Sequence, residues 1–355
     1  MPSVDAPAQP LAPAKSGAAS ARHDESRRLR VAAPAATLVQ KIVAYASIAR
    51  PDHWLKNVFM LIGVVLAFFY KPALLESFNW VTLLLGFAAT CLVASSNYVL
   101  NEILDAPTDA NHPEKHNRPI PSGLVSLPLA YVEWLVIGAT GFALAWLVNG
   151  PFLAVAVSLW IMGLVYNVRP IRSKELPYVD VLSESVNNPI RLILGWFVVS
   201  ASTIPPVSLL VAYWMVGAFF MASKRFAEYR MIGDKTRAAA YRKSFRHYDD
   251  NRLLVSMFFY ASAAAMFLGI FIIRYHLELI LSIPLIAGFF SMYLRVALKP
   301  DSAAQAPERL FRESGLMVYL VLCMLAFVLL MFVRIDALYQ WFNVTPSELP
   351  TLWKI

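Results

Sequence analysis

Charge is scarce in this sequence. Only 15% of its 355 residues are Asp, Glu, Lys or Arg, while 58% are hydrophobic. Soluble domains carry roughly a quarter charged residues, so an ordinary soluble globule is excluded. Cysteine is almost missing. The two present, Cys91 and Cys323, each lie inside an apolar run. That excludes a disulfide framework and a thiolate metal site, and leaves them as small buried packing residues. Histidine is sparse and scattered; the nearest pair, His112 and His116, is interrupted by Pro113. There is no glycine-rich phosphate loop, no G-x-S-x-G elbow and no His or Cys set at metal spacing. Nucleotide cradles, serine-hydrolase chemistry and zinc chemistry drop out with them.

What is present is a succession of long apolar runs. A bilayer core needs about 20 apolar residues in a helix, and nine segments approach or exceed that: 54–70, 80–104, 128–148, 151–168, 181–199, 207–223, 253–273, 279–297 and 315–335. The expectation is an all-α integral membrane protein of about nine transmembrane helices. Residues 1–40, rich in Ala and Pro with a basic cluster at Arg27, Arg28 and Arg30, read as a disordered tail without a signal-peptide core. Residues 41–340 form one polytopic domain, and 341–355 a short second tail. The net charge of +8 does not point to nucleic acid, because the cations are sorted by side. Of the 31 Lys and Arg residues, all but Lys71, Arg191, Arg274, Arg334 and Lys354 fall in segments on one side of the nine spans. By the positive-inside rule that side is the cytoplasm, with the N-terminus inside and the C-terminus outside. The lipid bilayer is the obligatory partner; a homo-oligomer is compatible with such a bundle.

Polar chemistry gathers at the cytoplasmic ends. The second span runs into NYVLNEILDAPTDANHPEKHNRPIPSG, residues 97–123. Asn101, Asp105 and Asp109 fall four residues apart, with Glu102 beside the first, so a continuing helix stacks them on one face. Carboxylates gathered on one face repel unless a cation sits between them, and hard oxygen ligands suit Mg²⁺. Pro107 argues against a helix beyond Leu104 or Asp105, which places Asp109 on a loop. Lys115 and Arg118 follow. A second acidic pair, Asp180 and Glu184, lies one helical turn apart after Tyr166, Arg169, Arg172 and Lys174. Asn187, Asn188 and Arg191 continue into the fifth span. A cation inside a span is costly unless paired or solvated. Arg191 therefore reads either as a substrate contact or as an ion pair with Glu184 or Asp180.

N-E-x-x-D-x-x-x-D followed by N-R-P-I-P-S-G resembles the first signature of the UbiA superfamily of intramembrane prenyltransferases, usually written N-D-x-x-D-x-x-x-D. Glu102 stands in place of its first Asp. The 180–184 pair resembles the second acidic motif, with Glu184 for the terminal Asp. The resemblance implies a helical bundle with a cytoplasm-facing cavity, in which Asp105, Asp109, Asp180 and Glu184 hold Mg²⁺ and a diphosphate. Three further elements are similar to the branch that transfers 5-phosphoribose from phosphoribosyl diphosphate to a polyprenyl phosphate. They are R-P-D-H-W-L-K-N (Arg50 to Asn57), M-A-S-K-R-F-A-E-Y-R with Lys224, Arg225 and Glu228, and Y-R-K-S-F-R-H-Y from Tyr241 to Tyr248. The implied substrate contacts are Lys56, Asn101, Glu102, Lys115, Arg118, Tyr166, Lys174, Asn188, Arg191, Lys224, Arg225 and Glu228. The alternatives are an aromatic prenyltransferase of quinone or haem type using a polyprenyl diphosphate, and a membrane transporter, for which repeats and mid-membrane polar residues are the missing signs.

Overall fold

A computed structural model describes residues 37–110, 115–305, 307–345 and Leu352. Most of the expected N-terminal tail, residues 1–36, and much of the C-terminal tail lie outside the described residues. The described chain is helical throughout. Its α-helices of six residues or more are α1 (Leu38–Ile48), α2 (Met60–Tyr70), α3 (Trp80–Asp109), α4 (Leu127–Val148), α5 (Gly150–Asn167), α6 (Val179–Ser185), α7 (Asn187–Val199) and α8 (Val207–Ile232). They continue with α9 (Lys235–Tyr241), α10 (Asp250–Tyr275), α11 (Ile283–Ala297), α12 (Ser314–Phe332) and α13 (Asp336–Trp341). Large apolar side chains point outward along them, Phe258 at 76% and Phe332 at 75% exposure among others. A surface of that kind is at home in lipid and not in water.

Among the described residues eight helical segments are long and apolar enough to cross a bilayer. The ninth expected span, 181–199, is present but interrupted as α6 and α7, which break at Val186. Pro189 supplies the reason. It has no N–H for the carbonyl four residues back, so the ladder cannot run through. The Asn187 side-chain amide instead donates to the Glu184 carbonyl at 3.1 Å. The pair still travels from end to end of the bundle. Asp180 meets Arg225 near the C-terminal end of α8, whereas Ser200, just past α7, accepts a hydrogen bond from Lys71, just past α2.

The extent of α3 corrects another expectation. Pro107 lies inside the helix, which continues to Asp109. A proline in the last turn forfeits only one backbone bond, and Asp109 recovers more than that: it is 4% exposed and receives Arg118 at 2.6 Å. Asp109 therefore sits on the same helical face as Asp105 and not on a loop.

Close helix contact is made by small residues, as in membrane bundles generally. Where α2 crosses α7, Gly63 faces the Leu192 carbonyl and Gly195 faces the Met60 carbonyl, each leaving no room for a Cβ. The crossing brings α7 against α2 and delivers Arg191 to Asn57.

Candidate active site

The C-terminal ends of α3, α5 and α8 and both ends of α6 meet on one side of the bundle. Two acidic groups face each other there.

The first is carried by α3. Asp105 Oδ1 receives Lys174 Nζ at 2.6 Å and Arg172 at 3.0 Å. Lys174 also donates to Asn101 Oδ1 at 3.0 Å and to Asn167 Oδ1 at 2.8 Å. One ammonium thus ties the ends of α3 and α5 together. Burial pushes the Lys174 and Lys115 ammonium groups below the usual lysine range. Arg172 continues to Glu175 at 2.9 Å, and Glu175 accepts Lys243 at 2.8 Å. Arg172 has φ 35° and Tyr178 φ 65°, a left-handed backbone that non-glycine residues adopt only when their surroundings enforce it. Here those surroundings are the ion pairs of Arg172 and the Tyr178 N–H, which donates to Tyr248 Oη at 2.6 Å.

The second group is carried by α6. Arg225, 1% exposed, lies among three carboxylates: Asp180 at 3.2 Å, Glu184 at 2.7 Å and Glu228 at 3.2 Å. Tyr166 donates to Glu184 Oε2 at 3.1 Å. Asp180 is fully enclosed. Tyr248 donates to its Oδ1 at 2.7 Å, while Ser244 and Arg225 donate to Oδ2 at 3.2 Å each.

The structure brings Asp105, Asp109, Glu184, Lys174, Arg118 and Tyr166 to this side of the bundle, and it gives several other residues different work. Glu102 turns away from Asn101 and Asp105 and accepts the Ile120 N–H at 3.3 Å, which fastens the loop after α3. Its extra methylene relative to aspartate gives that reach. Arg191 pairs with neither Asp180 nor Glu184; it donates to Asn57 Oδ1 at 2.8 Å and to the Asn187 carbonyl at 3.1 Å. Asn188 packs against Gly217 of α8. Lys56 is half-buried in the turn before α2. Arg225 and Glu228, expected at the substrate, are buried against the carboxylates of α6, whereas Lys224, half-buried beside them, adds its charge next to Glu184. Lys115 stands over the Tyr241 ring at 5.3 Å. The residues that sequence reasoning did not single out are Asn57, Asn167, Ser244 and Tyr248. Asn57, Ser244 and Tyr248 lie within the motif strings and Asn167 beside Tyr166, but neither spacing nor composition tells which helix end they will meet.

Mg²⁺ is tested by the donor set. Among the described residues no three His, Cys, Asp or Glu side chains converge into a ready metal cage. Mg²⁺ does not require one, because it is commonly held by one or two carboxylates together with substrate phosphates. Asp105 takes both of its cations on Oδ1, and Asp109 takes Arg118 on Oδ2. Each keeps a second oxygen that these contacts do not use, and both belong to one helical face. The first motif therefore fits Mg²⁺ brought with a diphosphate. Asp180, with both oxygens engaged and no exposure, does not match the expectation of a direct metal ligand.

The pattern of the UbiA prenyltransferase family matches residues 58–315. Over 243 residues the chain is 31% identical to decaprenyl-phosphate phosphoribosyltransferase of Mycobacterium tuberculosis, covering 68% of this chain and 76% of that protein. It is 26% identical over 164 residues to protoheme IX farnesyltransferase of Flavobacterium psychrophilum, covering 43% and 53%. Among solved structures, a UbiA homolog from Archaeoglobus fulgidus bound to GPP and Mg²⁺ superposes with a TM-score of 0.61 at 18% identity, over 82% of this chain and 100% of that one.

Proposed function

The chain belongs to the UbiA prenyltransferase family and is a multi-pass membrane transferase of that family, and from that premise we propose that it transfers 5-phosphoribose from phosphoribosyl diphosphate to a polyprenyl phosphate. The observation that carries the reading is the number and placement of cations around the basin. Lys174, Arg172 and Arg118 stand on the first motif, and Lys115, Lys224, Arg242 and Lys243 stand around it. A prenyl diphosphate brings one diphosphate. Phosphoribosyl diphosphate adds a 5-phosphate, and the acceptor brings a further phosphate, so this substrate pair matches a wide cationic rim. The 31% identity to a decaprenyl-phosphate phosphoribosyltransferase supports the same choice.

Asp105 and Asp109 would hold Mg²⁺ against the donor's diphosphate; when bound, the ion neutralises that group and improves it as a leaving group. The rest is done by side chains. Lys174, Arg172 and Arg118 stand in the segments that connect the long helices, and in this mechanism they would turn from carboxylate to phosphate oxygen. They would fix the diphosphate so that the anomeric carbon faces the acceptor. The bond from that carbon to the diphosphate oxygen breaks with the electron pair leaving on diphosphate. A bond from an oxygen of the lipid phosphate forms on the opposite face. That oxygen is already anionic near neutral pH, so no general base is required. Positioning and preorganised charge supply the catalysis. The product is a lipid-linked phosphopentose of the kind consumed in building envelope glycans. The charge asymmetry of the loops supports a site on the cytoplasmic face.

The test is direct. Purified protein with Mg²⁺ and a polyprenyl phosphate is given labelled phosphoribosyl diphosphate, and label in the lipid phase is counted. Mg²⁺-dependent transfer that Asp105→Asn abolishes is expected. No transfer by a folded preparation that instead turns over a prenyl diphosphate with an aromatic acceptor would overturn the reading.

A further inference from the structure

The two acidic groups are closed by cations of different kinds. Those on Asp105 and Asp109 come from the segments that connect the long helices: the side chains of Arg172, Lys174 and Arg118 are 15%, 12% and 32% exposed. The cation on the α6 group comes from within. Arg225 is helical, 1% exposed, and bonded to three carboxylates at once. It has no route outward. A divalent ion placed on Glu184 would stand against a guanidinium 2.7 Å from Oε2, with Lys224 and Arg242 adding positive charge next to the same carboxylate. Asp180 is 0% exposed and already accepts three hydrogen bonds on its two oxygens, so it presents no open oxygen to an ion in the basin.

One group in this cluster still faces the basin. The Glu184 side chain is 36% exposed. Tyr166 and Arg225 both address its Oε2, which fixes the carboxylate and leaves Oε1 outside both of these bonds. A fixed carboxylate oxygen repels phosphate, and the cations behind it repel a metal. A neutral hydroxyl remains as the partner it can accept. Carboxylates commonly take this part at ribose, where an acidic side chain receives the hydroxyl protons.

We infer that the α6 acidic group holds no metal in this protein, and that Glu184, braced by Arg225 and Tyr166, is instead the subsite for a ribose hydroxyl of the donor. Asp180 and Glu228 are then positioning residues that hold Arg225. The hydroxyl half rests on the phosphoribosyl reading; the metal half does not. A prenyl diphosphate has no hydroxyl to offer, so the same group also discriminates between donor classes.

Two measurements test this. Mn²⁺ binding in the presence of inorganic diphosphate is counted by electron paramagnetic resonance for the parent, Asp105→Asn, Glu184→Gln and Asp180→Asn. Asp105→Asn is expected to lose the bound ion, while the other two retain it within about twofold. Weakening by about tenfold or more in Glu184→Gln or Asp180→Asn, with the fold intact by circular dichroism, overturns the metal half. Separately, transfer is compared between phosphoribosyl diphosphate and its 2-deoxy and 3-deoxy analogues. A site built to bond a hydroxyl rejects the analogue lacking it, so the parent should prefer the hydroxylated donor by at least about tenfold. Glu184→Gln, and Glu184→Ala where it folds, should lose most of that preference. An undiminished preference in both overturns the hydroxyl half. No transfer by the parent from phosphoribosyl diphosphate overturns the donor reading and the hydroxyl half with it, while the Mn²⁺ count still decides the metal half.

Discussion

Tyr248 lies 68 residues from Asp180 in the chain and places its hydroxyl 2.7 Å from the Asp180 carboxylate. The same oxygen accepts the Tyr178 N–H at 2.6 Å. One phenol thus joins the strained turn before α6 to the enclosed carboxylate and to the loop that follows α9. Tyr248→Phe removes the hydroxyl and leaves the buried Asp180 carboxylate oxygen and the Tyr178 N–H each short of a partner. The expected cost is about 1–3 kcal/mol, read as a lowered unfolding midpoint in detergent. A midpoint unchanged from the parent would show that the turn is held by something else.

Lys174 is the ammonium shared by Asn101, Asp105 and Asn167. Lys174→Met keeps the stem and removes the charge. Loss of one preorganised donor costs about 100-fold in rate in other enzymes, and a similar fall in phosphoribosyl transfer is expected, with acceptor KM little changed. An equal loss for donor and acceptor would mean that Lys174 only holds α3 to α5.

At the crossing of α2 and α7, Gly195→Ala sets a methyl against the Met60 carbonyl, with backbone on both sides. Overpacking typically costs about 1–3 kcal/mol, and backbone cannot swing aside as a side chain can. Gly195→Ala should lower thermal stability, whereas Gly150→Ala, with nothing within 4 Å of its added carbon, should not on packing grounds. Because α7 carries Arg191 to Asn57, the Gly195 variant is also expected to lose transfer at temperatures where it is still folded.

The orientation can be read by labelling. In a background with Cys91 and Cys323 replaced, cysteine is placed at Lys299, whose side chain is 48% exposed, or at Arg334, 66% exposed. A membrane-impermeant maleimide should reach position 334 in intact cells and position 299 only after permeabilisation. The reverse pattern would invert the topology and place the basin outside.

Depletion of divalent cations should abolish transfer and leave the helical content unchanged. The carboxylates of the first motif are already paired with side-chain cations, Asp105 with Lys174 and Arg172 and Asp109 with Arg118, so the helices are expected to stay packed when the ion is withdrawn. A loss of helicity on chelation would contradict that.

Some of this was legible in the residues. The apolar runs and the one-sided sorting of Lys and Arg follow from what a bilayer excludes, and an i, i+4 spacing on a helix places Asn101, Asp105 and Asp109 on one face wherever that helix goes. These are local consequences of helix geometry and solvation. The chain alone could not tell that α3 survives Pro107, because the compensation comes from Arg118, which the following loop must bring back. Nor could it separate Asp105 from Asp180. Both are aspartates of an acidic motif, but packing surrounds one with loop cations at an open rim and seals the other beneath Tyr248, Ser244 and Arg225. What a carboxylate does depends on which charges stand within a few ångströms and whether they can leave. Those neighbours, 45 to 68 residues away along the chain for Asp180, are chosen only when the helices pack.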